Sequence, residues 1–218
     1  MRVHLLLLSA LFPLAAACSG PTSQPAEQAA TPNTAEAAAI APLEPLDTVR
    51  AATVTAQSDT LLTNQSRHVF SNQAAPDVFS LVLRGPAVLS GEATFTITTA
   101  TGEVIFREIL TSPELEAALV YEMKTPTATQ AEREAYVRRR LREFFADANF
   151  RRPALAANAA YPSPAPAYPS PAPASPDRAT WNDLRQRPDA VRFDYLVGKE
   201  DRRHLVWSPL GQQVVHLP

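Results

Sequence analysis

The chain has 218 residues, a formal net charge of −2 and 21 prolines, about twice the usual proline share. Its 20 Lys and Arg balance 22 Asp and Glu, which excludes a generally basic nucleic-acid binder and a polyanionic tail protein. A single cysteine excludes an internal disulfide framework and any multi-cysteine metal site. Hydrophobic residues make up 45% of the chain, but 38 of its residues are alanine. The large apolar set that remains suffices for one compact core and not for two large ones.

Arg2 is a short positive n-region, and Val3 to Leu14 is an apolar stretch interrupted by His4, Ser9 and Pro13. Ala15 to Ala17 are small residues of the kind a signal peptidase accepts. The stretch is shorter than the about 20 apolar residues of a membrane span, so residues 1–17 read as an export signal removed from the mature protein. The only cysteine, Cys18, stands at the cleavage point. The run Leu14-Ala15-Ala16-Ala17-Cys18 resembles the lipobox of bacterial lipoproteins, with Leu14 four residues before the cysteine and Ala15 where leucine is commonest. The resemblance covers the signal and lipobox alone. It implies that the Cys18 thiol, nucleophilic as its thiolate, receives a diacylglyceryl group, that the signal is cut before it, and that the new amino group is acylated. Two or more acyl chains hold a protein on a bilayer stably, where one is marginal. The resemblance also implies a destination. Ser19 stands where an Asp would favour the inner membrane, and the first acid is only at Glu27. Together they imply a periplasm-facing outer-membrane lipoprotein.

Residues 18–47 hold few large apolar side chains and are rich in Ala, Pro, Ser and Thr. Such a segment does not offset the entropy of ordering and is expected to be a disordered leash. The rest, 48–218, is expected to form a single α+β domain interrupted by a Pro-rich loop at 159–178. Its body is expected to be an antiparallel sheet of roughly five to seven strands, with a sandwich-like variant, carrying one long amphipathic helix.

In chain order, Val49 to Ala56 is a first strand candidate and Arg67 to Phe70 a weaker one. From Val78 to Arg84, Phe79, Leu81 and Leu83 share one face. Phe95 and Ile97 alternate with Thr94, Thr96 and Thr98; Ala100 to Glu103 is a turn; Val104 to Leu110 returns. That pair is the strongest hairpin signal in the chain, and one Thr-rich face suggests a sheet packed on one side. Thr129-Gln-Ala-Glu132 is a capping box, and Val137, Leu141, Phe144, Phe145 and Ala148 recur at helical spacing. This predicts a helix from Gln130 to Ala148, with i,i+4 pairs Glu134–Arg138 and Arg139–Glu143 on its outer side. Residues 161–174 are a tandem repeat, YPSPAPA twice, whose prolines impose a polyproline-II-like course. Thr180 is expected to cap a short helix through Trp181, Leu184 and Arg187. Three short strands follow, at Val191 to Val197, His204 to Trp207 and Gln212 to Leu217.

Few residues suggest chemistry. The sequence has no GxSxG, HExxH, CxxC, P-loop, GxGxxG or EF-hand loop. No catalytic residue, metal site or cofactor is assigned, and nucleic acid is not expected as a partner. His204 and His216 would come near each other across a C-terminal hairpin, although two edge histidines is the simpler account. Asp194, Glu200 and Asp201 read as a solvated hairpin tip. Trp181 and Trp207 read as core anchors rather than a sugar-stacking pair. The one local charge feature is arginine: seven between Arg133 and Arg152 against Glu134, Glu143 and Asp147. Arg138, Arg139 and Arg142 are therefore candidate contacts to an anionic envelope surface, against the plainer account of a solvated helix face. The expected partners are the membrane, through the N-terminal lipid, and an envelope protein or anionic envelope polymer. The expected function is that of a non-catalytic, lipid-anchored envelope protein. The competing expectation is a periplasmic hydrolase acting on cell wall or glycan.

Overall fold

The computed structural model describes residues 54–162 and 176–218. The expected export signal, Cys18, the expected leash and most of the repeat lie outside the described residues. The fold is α+β: two four-stranded antiparallel sheets with three helices.

The first sheet is a meander of β1 (Thr60–His68), β2 (Asp77–Arg84), β3 (Glu92–Thr98) and β4 (Val104–Thr111). Alternation puts Phe79, Leu81 and Leu83 on one face opposite Ile97, Phe95 and Ala93, and all six are fully buried. The expected hairpin forms between β3 and β4, with Gly102 at φ +91° and its N–H on the Thr99 carbonyl at 2.9 Å. A second tight point joins Gly85 and Gly91. A Cβ on Gly91 would stand 2.6 Å from the Arg84 carbonyl oxygen, so only glycine fits there.

The start of this sheet corrects the sequence reading. Val54 to Ala56, the described end of the expected first strand, is not a strand, and β1 begins at Thr60. The inward face of β1 runs Leu62, Asn64, Ser66, His68. Asn64 there reaches helix carbonyls and His68 stacks on Phe150, with ring centroids 3.4 Å apart. The inward side chains at this edge are largely polar, so no hydrophobic alternation marked it.

A Thr111–Glu114 capping box starts α1 (Ser112–Glu116), and a 3-10 turn follows at Ala117–Tyr121. Then comes α2 (Gln130–Glu143), begun by the expected Thr129–Glu132 box. It stops at Glu143 rather than Ala148. Asn64 Nδ2 donates to the carbonyls of Leu141 and Arg142 at 2.7 and 3.1 Å, and Asn149 Nδ2 to that of Phe144 at 2.9 Å. With those last-turn acceptors satisfied from outside, the chain turns and buries both Phe144 and Phe145.

The second sheet is another meander: β5 (Phe150–Arg151), β6 (Arg192–Val197), β7 (Asp201–Ser208) and β8 (Gln213–Leu217). Three C-terminal strands form as the alternation predicts, although β7 starts at Asp201, three residues before the expected His204; the two-residue β5 gave no pattern. One face meets the first sheet. Phe193 lies 5.4 Å from Phe79 and 5.6 Å from Phe95, and Tyr195 lies 5.6 Å from Phe95. Phe144 and Phe145 join the same group at 5.8 Å from Phe193. The other face packs Val206 and Leu217 against α3 (Arg178–Arg185) through Trp181 and Leu184. The cap of α3 is Asp177, whose Oδ1 accepts the Thr180 N–H at 2.7 Å; Thr180 itself sits inside the first turn. So the body has eight strands in two sheets, against the expected five to seven strands, and α1 adds a helix to the long and short helices that were expected.

Removing the Phe193 ring leaves a cavity between fully buried neighbours. Phe193→Ala is expected to lower stability by about 3–5 kcal/mol, against about 1 kcal/mol for loss of the cap in Thr129→Ala. Urea unfolding followed by circular dichroism measures both.

Candidate functional site

The arginines of α2 divide by position. Arg139 does not bond to Glu143, the i,i+4 partner expected of it. Arg133 Nη2 lies 2.8 Å from Glu116 and Arg139 Nη2 lies 2.6 Å from Glu122, both acids belonging to the segment after β4 that packs beside the helix. Glu134 instead accepts a bond from Gln130 at 2.9 Å. Arg140 turns inward and donates to the carbonyls of Leu115 at 2.7 Å and Leu196 at 2.6 Å, tying α1 and β6 to the helix. Burial lowers its pKa from the usual arginine value. Arg138 and Arg142 have no carboxylate partner among the described residues.

Arg139 and Arg142 line one cleft of about 710 Å³ between α2 and the segment 119–128. Leu119, Met123, Ala135 and Tyr136 give it an apolar floor; Lys124 adds a third cation, and Glu122 and Glu132 are its acids. The guanidinium of Arg139 also lies 5.2 Å from the centre of the Tyr136 ring. Arg138 is not part of this lining. Of the three candidate residues, the structure thus brings two together and sets one apart. The sequence reading missed Lys124, Met123 and Tyr136. The Thr111-Ser-Pro-Glu114 box, a second copy of the signal used for α2, would have revealed the helix that aims this segment.

Two buried carboxylates elsewhere, Asp194 and Glu108, are held in structural bonds. Asp194 is buried rather than part of a solvated tip. Its carboxylate accepts from Arg192 at 2.7 Å, His204 Nδ1 at 2.7 Å and Arg151 at 3.0 Å. Burial raises its pKa, but the bonds from Arg192 and His204 outweigh burial and hold the carboxyl below the ordinary range. On the opposite face of this sheet, Glu108 accepts from Tyr195 Oη and pairs with Arg203. His204 and His216 do not meet. They are opposite Leu217 and Leu205 in adjacent register positions, so they project to opposite faces. Trp181 and Trp207 likewise pack on opposite sides of the sheet, as separate anchors.

Among the described residues no group of three or more His, Cys, Asp or Glu side chains could hold a metal ion, and no helix is long and apolar enough to cross a membrane. No protein family matches the chain, and no curated protein or solved structure matches it either.

His216 gives a sign-definite prediction. Burial first, and then the nearby Arg203 charge, lower its pKa from 6.5 to about 4. Protonation therefore favours the unfolded chain. Its contribution to stability is complete above pH 6.5 and is lost as pH falls from 6.5 toward about 4. His216→Gln is expected to flatten the stability curve across that window, by no more than about 3 kcal/mol. Urea midpoints at pH 7 and pH 4.5 for both chains measure it.

Proposed function

We propose that this chain is a non-catalytic lipoprotein of a bacterial cell envelope, anchored through acylated Cys18 in the outer membrane and facing the periplasm. It binds a protein or an anionic envelope component in the cleft beside α2. The observation that carries the reading is the sole cysteine of the chain placed directly after an export signal in the run Leu14 to Cys18. The cleft supports the binding half, because Lys124, Arg139 and Arg142 surround an apolar floor and guanidinium forks match carboxylate and phosphate.

The hydrolase alternative has one observation in its favour, the 2.7 Å contact between His204 Nδ1 and Asp194. Such a contact orients a histidine as a general base. Here the same carboxylate is shared with Arg192 and Arg151, and no hydroxyl among the described residues bonds to His204. Clamping β5, β6 and β7 accounts for the carboxylate's bonds.

Cys18→Ser is expected to move the protein from the membrane to the soluble fraction of its host and to abolish incorporation of a palmitate analogue. Retention of both would overturn the anchor. Crosslinking in cells followed by purification of the lipidated protein is expected to recover one envelope partner, with yield reduced about fivefold in Arg142→Glu, the effect of one exposed charge. Cell-wall hydrolysis by the purified protein, lost in His204→Ala, would instead establish the enzyme.

A further inference from the structure

The 3-10 turn Ala117–Tyr121 ends in two large side chains that the fold does not cover, Val120 at 50% and Tyr121 at 61% exposure. The chain has only two lysines, and both stand beside them. Lys199 Nζ lies 5.1 Å from the centre of the Tyr121 ring. Lys124 is exposed three residues after Tyr121. Two segments build this tip, because Tyr121 Oη donates to Glu200 Oε1 at 2.7 Å and so pins the β6–β7 turn against it. Of the adjacent acids, Glu122 is paired with Arg139, while Glu200 accepts the neutral Tyr121 hydroxyl and keeps its charge, so that Lys124, Lys199 and Arg139 against Glu122 and Glu200 leave the tip a net +1. Neither lysine has a carboxylate partner among the described residues.

We propose that this tip docks on the anionic headgroups of the lipid bilayer that carries the anchor, a step that rests on the lipoprotein reading above. An exposed valine beside a tyrosine supplies a small apolar wedge, and a tyrosine ring suits the headgroup level of a membrane. Two lysines on long apolar stems place ammonium groups around it, complementary to lipid phosphates. The stretch from Cys18 to Val54 spans at most about 130 Å when fully extended. The lipid therefore fixes the protein to the membrane without selecting a face. The tip selects one, and it brings the α2 cleft, which adjoins it through Glu122 and Lys124, close to the surface.

The test uses the mature chain, residues 18–218, carrying Cys18→Ser, sedimented with phosphatidylcholine vesicles with and without phosphatidylglycerol. The expected result is partition onto the anionic vesicles that weakens with added salt. Lys124→Glu and Lys199→Glu each lower it by about fivefold or more, given the weight of one basic side chain at such a surface. Val120→Asp lowers it as well, and near-ultraviolet circular dichroism shows all three variants folded. Absent partition, equal partition onto neutral vesicles, or variants indistinguishable from the parent would each overturn the proposal. So would self-association abolished by Val120→Asp without vesicle binding, which assigns the tip to a second copy. The chain tested carries no lipid, so a failure here with Cys18 acylated in cells removes the docking and leaves the anchor. A failure of acylation removes the anchor whatever the vesicles show.

Discussion

The contact between the two sheets centres on one ring. Phe193 is fully buried, stacked on Tyr195 at 5.4 Å, and approached from the opposite sheet by Phe79 and Phe95. Each meander alone presents one apolar face and is marginal until that face is covered. Burying an aromatic side chain contributes about 1.5–3 kcal/mol, and edge-to-face ring contacts add to it. The same cluster takes in Phe144 and Phe145 and so fixes where α2 ends. Once α2 is placed, Arg140 falls within reach of the Leu115 and Leu196 carbonyls, and the segment 119–128 is left against the helix's outer flank. The candidate cleft is therefore a consequence of how the aromatic core closes.

A polar constraint sets the register that the rings alone leave loose. Glu108 lies opposite Phe95 on the inward face of the first sheet, in a position that would otherwise be apolar. A buried carboxylate is costly unless paired and hydrogen-bonded. Tyr195 and Arg203, both on the inward face of the second sheet, supply the partners. A slip of one residue in β7 would send Arg203 to the α3 side and leave Glu108 buried without its cation, at a cost of several kcal/mol. Asp194 does the corresponding work on the far face, where its bonds to Arg151, Arg192 and His204 hold three strands. These two carboxylates take up His204, Tyr195 and three arginines in bonds that fix the strands.

Elements that bury apolar side chains at a regular period were legible in the sequence. The β3–β4 hairpin, the start of α2 and the strands from Arg192 onward all show it. Elements defined by partners distant in sequence were not. The inward face of β1 carries Asn64, Ser66 and His68 because it meets helix carbonyls and a ring. The end of α2 depends on Asn64 and Asn149 reaching its last carbonyls, and no local signal at Glu143 announces that. The candidate site was half legible. Counting arginines found Arg139 and Arg142, but nothing local distinguishes them from Arg138, or reveals that Arg140 points inward.

That division changes what the charge count means. The excess of arginine from Arg133 to Arg152 suggests a broad positive field. In the fold, Arg133 and Arg139 are neutralised by Glu116 and Glu122, Arg140 is spent on carbonyls, and Arg151 on Asp194. A diffuse field of this size, screened within about 8–10 Å at physiological salt, would not choose a partner. Of the remaining Arg138, Arg142 and Arg152, only Arg142 joins Lys124 at the rim of a cleft with an apolar floor, and Lys124 stands with Lys199 around Val120 and Tyr121. Recognition at either place requires an apolar group and an anion in the same ligand. That favours amphiphiles and acidic segments carrying apolar side chains over a purely polyanionic polymer, which would gain nothing from the cleft floor or the exposed valine.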